Sequence, residues 1–144
     1  MTKLFAEGKF VIDASPDKIW ETLRSFAYVE TYIPVMKSST LEGSGVDATR
    51  YIKAEMNDGS KHEMTERIEF LDESQKTLKF KVIDTIPSFL NAIVTQKVTT
   101  LENNKTEFYT CCELDSDMPE EEFKAICLET FRTEAQGLEK LHHN

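Results

Sequence analysis

A chain of 144 residues, with 26 acidic against 17 basic side chains and a net charge of −9, is the size of one ordinary domain and can bury a core without metals or disulfides. It has no cluster of Lys and Arg, so phosphate backbones and anionic lipid surfaces repel it, and neither nucleic acid nor membrane is an expected partner. The three cysteines form no C-x-x-C, and the neighbours Cys111 and Cys112 could close only a strained ring; all three read as reduced packing residues, with a vicinal redox pair as the alternative.

The opening MTKLFAEGKFVID alternates like a strand over residues 3–13 and lacks the unbroken apolar run of a signal peptide or membrane span, which predicts a cytoplasmic location. Ala14-Ser15-Pro16-Asp17 then starts a short helix, with Ser15 as N-cap, Pro16 at the first helical position and Asp17 beside the positive end of the dipole. Ile19, Trp20 and Leu23 give it an apolar side. A second short helix or turn is expected from Ala27 to Tyr32, ending at Ile33-Pro34 because the residue before a proline is pushed out of the helical region.

From Met36 to Asp115 the pattern is strand throughout, with breaks at Glu42 to Gly45, Asn57 to Gly59, Asp72 to Ser74, Pro87-Ser88 and Asn103-Asn104. That predicts about six further strands. Residues 117–142 read as one long helix, in which Asp117 and Glu120 form a capping-box-like pair and Glu120, Glu121 and Glu122 crowd the positive end. Phe123, Ile126, Cys127, Phe131, Leu138 and Leu141 fall on one side of it, and Thr130 and Glu134 interrupt that stripe. The fold class is therefore α+β: a curved antiparallel sheet of about seven strands wrapped around a long C-terminal helix, with two short helices after the first strand. With no repeat, linker or low-complexity stretch, residues 1–144 are expected to form a single domain.

Strand parity picks out the candidate site. In KHEMTERIEF, residues 61–70, the dry face carries His62, Met64, Glu66, Ile68 and Phe70, and in YIKAEM, residues 51–56, the dry face is Ile52, Ala54 and Met56, reaching back to Arg50. A hairpin turn at Asn57-Asp58-Gly59 places Ala54 opposite His62, Ile52 opposite Met64, and Arg50 opposite Glu66. An inward Arg50–Glu66 pair is either an internal salt bridge or a ligand-orienting or catalytic pair.

At the level of motifs the chain resembles the START-like, helix-grip superfamily, in its polyketide cyclase/dehydrase and lipid-transport branch. The resemblance rests on Ile12-Asp13-Ala14-Ser15-Pro16 followed by Ile19-Trp20, on Tyr32-Ile33-Pro34-Val35, and on the run from Gly45 to Arg50, Asp58-Gly59, Met64 to Ile68 and Asp72. Thr106, Phe108, Thr110 and Leu114 resemble the penultimate element, with Thr110 where the family has a tryptophan. This resemblance implies a cavity between sheet and helix, in a fold that serves carriers, cyclases, hormone receptors and co-chaperones alike. In the related lachrymatory factor synthases an arginine and a glutamate at matching strand positions transfer a proton, and Arg50 and Glu66 are the matching residues here.

Two readings follow. In the first, a small hydrophobic or amphipathic molecule is bound between sheet and helix, with Arg50, His62, Glu66, Met64 and Ile52 contributing from one hairpin. Phe80, Phe108, Thr110, Phe131 and Glu134 line the rest, and Phe89 sits in a loop at the mouth. The alternative is a cyclase, dehydrase or isomerase with Glu66 as general acid/base and Arg50 stabilising negative charge. A co-chaperone-like domain is a third class and needs an exposed apolar patch. No metal or cofactor is expected: the histidines are His62, His142 and His143, and there is no glycine-rich phosphate loop. A monomer or homodimer fits equally.

Overall fold

The structure, a computed structural model, describes residues 2–144. Strand β1 (Thr2–Ile12) leads into helix α1 (Pro16–Ser25) and a 3-10 turn at Val29–Thr31. Strands β2 (Met36–Glu42), β3 (Thr49–Glu55), β4 (Lys61–Asp72), β5 (Thr77–Asp84), β6 (Ile93–Leu101) and β7 (Lys105–Ser116) follow, and helix α2 (Glu120–His142) closes the chain. All seven strands form one antiparallel sheet in the order β1-β7-β6-β5-β4-β3-β2. The curved sheet with α2 against β1 and β7 is the helix-grip arrangement.

The turns form where the sequence places them, for local reasons. Gly59 has φ of 86° in the β3–β4 hairpin, a conformation that costs glycine nothing. At the β4–β5 turn the Asp72 carboxylate accepts from the backbone N–H of Ser74 at 3.0 Å and of Gln75 at 3.1 Å, an Asx arrangement that ends the strand.

The second short element after β1 takes the form of a turn, the 3-10 turn at Val29–Thr31, where Phe26 and Tyr28 take left-handed backbone at φ 61° and 56°. Three expectations need correction. Pro119, expected in the first turn of α2, instead takes the N-cap position in extended geometry, with no side-chain cap bond. Phe70 is 43% exposed, because a bulge between Ile68 and Phe70 shifts the register and brings Leu71 opposite Leu78 instead. On α2, Ile126, Thr130 and Leu141 are exposed, while Glu134 and Ala135 are buried, so the covered stripe is rotated toward Ala135.

The interior holds two apolar clusters. One gathers Ile12, Trp20, Phe26, Ile52, Phe108 and Leu138 under α1 and the C-terminal half of α2. The other gathers Leu4, Leu114, Phe123, Cys127 and Phe131 under its N-terminal half. Truncating a fully buried ring such as Phe123 or Phe108 would cost about 3–5 kcal/mol. One glycine fixes how closely α2 approaches: a Cβ on Gly137 would stand 1.8 Å from the Tyr32 carbonyl oxygen, so no larger residue fits without moving backbone.

Candidate functional site

Among the described residues, seven polar or charged residues are buried: Arg50, Glu66, Gln96, Thr106, Thr110, Ser116 and Glu134. Two serve local structure, since Thr106 Oγ1 donates to the Ala14 carbonyl at 2.8 Å and Ser116 Oγ accepts from the Met118 N–H at 3.1 Å. The other five form a polar layer running from β3 and β4, across β6 and β7, to α2.

Its charged centre is the pair anticipated from parity. Arg50 lies directly opposite Glu66 in the β3–β4 register, donating from Nε at 2.8 Å and from Nη2 at 2.7 Å to Glu66 Oε1. The two side chains are only 5% and 7% exposed. The guanidinium lies over the Phe26 ring at 3.8 Å and near the Phe80 ring at 5.0 Å, and these two mutually tilted rings stabilise a desolvated cation. The buried Tyr32 hydroxyl acts on it electrostatically as well. Burial opposes the charge on Arg50, but Glu66 and Tyr32 outweigh it, so the group is held above its ordinary value. Burial likewise pushes the Tyr32 hydroxyl up to about 12, against the opposing pull of Arg50. The left-handed Phe26 and Tyr28 bend the chain so that the Phe26 ring and the Tyr32 hydroxyl both reach Arg50; backbone of this kind is tolerated where the surroundings enforce it.

The second half of the layer sits on α2. Gln96 Nε2 donates to both oxygens of Glu134, at 3.0 and 3.1 Å. Burial raises the Glu134 carboxyl to about 7, while the Gln96 bond and Arg50 pull it down and Glu66 pushes it up. Beside Gln96, and paired with it across β6 and β7, Thr110 is completely buried and its hydroxyl has no hydrogen-bond partner.

The other predicted residues divide between lining and periphery. Ile52 and Phe80 are buried in the first cluster, with Met64 half-buried against it. Phe108 and Phe131 belong to opposite clusters, while Thr110 on β7 and Glu134 on α2 are buried in the polar layer. Phe89 is half-buried, in a 3-10 turn at Pro87–Phe89 against the second cluster. His62 is set apart. It contacts Ser60 Oγ at 3.2 Å and lines an open cleft of about 480 Å³ with Lys37, Lys53, Ala54 and Lys61, four residues or roughly 13 Å along the strand from Glu66.

Three participants escaped sequence reasoning. Gln96 was legible, since parity through V-T-Q-K-V places it on the face of Val94 and Val98. Phe26 and Tyr32 were not, because loop backbone rather than a strand or helix period aims them. Among the described residues no cluster of His, Cys, Asp and Glu has the makings of a metal site. Cys112 contacts Cys127 across the β7–α2 interface, and that bond with burial holds the Cys112 thiol above its ordinary value. All three cysteines are free thiols.

A family model described as polyketide cyclase / dehydrase and lipid transport matches residues 6–139. No curated protein is matched by sequence. Among solved structures, the chain is similar to an aromatase/cyclase, ZhuI, from Streptomyces sp. R1128, with 13% identity over 96% of this chain and 93% of that one and a TM-score of 0.81. It is similar also to ginseng major latex-like protein 151 from Panax ginseng, with 17% identity, 97% of each chain covered and a TM-score of 0.81. The protein XoxI from Bacillus cereus gives 16% identity, 96% and 95% coverage and a TM-score of 0.78. At such identities these likenesses establish the fold alone.

Proposed function

The chain belongs to the polyketide cyclase / dehydrase and lipid transport family, and from that premise we propose that it binds a small hydrophobic or amphipathic molecule between the sheet and α2. The observation that carries this reading is the Arg50–Glu66 pair, 2.7 Å apart and almost fully buried. Breaking even with an apolar replacement is the usual fate of such a pair, so its place in the middle of the interior supports a role in orienting a ligand's polar group. Ile52, Met64, Phe80, Phe108 and Phe131 supply the apolar wall, and Met64 and the half-buried Met36 are adaptable enough to make room. Thr110 and Glu134 face the same layer, with Phe89 and His62 at its margins. In this reading residues 1–144 act as one cytoplasmic ligand-binding domain, as monomer or homodimer, and lipid-like molecules are among its ligands.

The test is fluorescence titration with 2-naphthol, an apolar probe with one hydroxyl, against wild type and the double variant Arg50→Met/Glu66→Leu. The double variant removes both charges together and leaves neither stranded. Saturable binding that weakens by about tenfold or more in the double variant is the expected result; equal affinity in both proteins contradicts the orienting role.

A second reading is favoured by the Glu134 carboxyl, which burial holds at about 7, where a proton-transfer group works best. In that case the protein is a cyclase, dehydrase or isomerase, with Glu66 as general acid/base and Arg50 stabilising developing negative charge. A carrier keeps most of its affinity for neutral ligands in Glu66→Gln, whereas an enzyme loses a factor of about 10² in turnover. Full turnover by Glu66→Gln removes that reading.

A further inference from the structure

An arginine inside an apolar pocket invites the expectation that the ligand is an anion. The polar layer argues otherwise. Arg50 is the one buried Lys or Arg among the described residues, and its charge is already paired: Nε and Nη2 both donate to Glu66, and the Phe26 ring lies over its face at 3.8 Å. Against this one cation stand two buried carboxyl groups, Glu66 and Glu134. A carboxylate ligand would add a third and would meet no free positive charge.

What the layer leaves unused is a neutral hydrogen-bonding position. The Thr110 hydroxyl is wholly buried with no partner, an unfavourable condition that a ligand group can relieve. Its neighbour across the β6–β7 ladder, Gln96, holds the Glu134 carboxyl through both oxygens. The groups acting on Glu134 are Arg50 from β3, Glu66 from β4, Gln96 from β6 and Tyr32 from the segment after α1. That set holds one positive charge and one other negative charge, so a neutral Glu134 balances it and an ionised one does not.

Resting on the binding reading above, we propose that Thr110 and Glu134 form the seat for a hydroxyl or carbonyl oxygen of an uncharged ligand, and that the same layer rejects carboxylates. The Thr110 hydroxyl donates to that oxygen or accepts from it, and the protonated Glu134 carboxyl supplies the complementary group. Arg50 and Glu66, paired at 2.7 Å in the same layer, orient that oxygen toward the seat through their fixed charges.

The test compares matched alcohol and acid probes on the full chain at pH 6, where the Glu134 carboxyl keeps its proton: 2-naphthol with 2-naphthoate, and 1-decanol with decanoate. The alcohols are expected to bind at least about tenfold more tightly than the acids. Thr110→Val, an exchange of similar volume, should weaken the alcohols by about tenfold, and Glu134→Gln, which keeps a neutral group there, should keep the preference for alcohol over acid. Acids binding as well as the alcohols, or better, overturn this inference and leave the binding reading standing. No binding by any of the four probes to a folded protein overturns both.

Discussion

Replacing Glu66 with glutamine removes one charge and almost no volume, so it measures what the carboxylate does for the buried guanidinium. Arg50 now has both of its short bonds, at 2.8 and 2.7 Å, on a single oxygen of Glu66; a glutamine oxygen can keep those bonds but not the charge. Breaking a buried pair costs about 3–5 kcal/mol. The Phe26 face at 3.8 Å still contributes about 1 kcal/mol, and Glu134 can ionise in place of Glu66, which together bring the expected loss to about 2–4 kcal/mol. With an m-value of about 2 kcal/mol/M, the urea midpoint should fall by about 1–2 M. The assay is equilibrium unfolding at pH 7, followed by circular dichroism and by fluorescence of the sole tryptophan, Trp20. Arg50→Met/Glu66→Leu should recover to within about 1 kcal/mol of wild type. A midpoint shift below about 0.3 M in Glu66→Gln, or a double variant no more stable than the single, would refute the claim that the pair is charge-compensated and desolvated.

The Glu134 carboxyl is raised from 4.5 to about 7, so the folded state binds its proton more tightly than the unfolded state. Its contribution is fully present below about pH 4.5 and is lost as pH rises through about 7, a fall of about 3 kcal/mol. Glu134→Gln, which mimics the protonated form, should lack that slope in urea midpoints taken from pH 5 to 8; parallel profiles for the two proteins would count against a buried, neutral Glu134. Thr110→Val removes a buried hydroxyl without a partner and should raise stability by about 1 kcal/mol while weakening alcohol binding; a loss of stability on thermal unfolding would mean that the hydroxyl is satisfied. Gly137→Ala gains about 1 kcal/mol of helix propensity but drives a methyl to 1.8 Å from the Tyr32 oxygen. A net loss of about 2 kcal/mol is expected, and a stabilised variant would show that α2 does not press on Tyr32.

Much of this site could be read from the chain because strands carry a period of two. Parity and one hairpin turn located Arg50 opposite Glu66, and the structure has that register. The same rule failed at Phe70, where one extra residue in the ladder reversed inside and outside, and nothing in E-F-L-D marks a bulge. Helix phase located Glu134 but missed the exposure of Ile126 and Leu141, since the stripe on α2 follows a curved sheet and not an ideal period. Phe26 and Tyr32 were hidden because left-handed backbone at Phe26 and Tyr28 has no signature in residues other than glycine or asparagine. The Thr110 position carried its information by departure from the family resemblance, and the structure shows there a buried hydroxyl without a partner.

The most direct test of ligand binding at the polar layer is native mass spectrometry of the protein purified from its own cells, followed by denaturing extraction of any retained compound. The account predicts an added mass that is lost on denaturation, belongs to an apolar molecule with a hydroxyl or carbonyl and no carboxylate, and is missing from Arg50→Met/Glu66→Leu. Retention of the same compound by that variant, or a retained carboxylate, would contradict it.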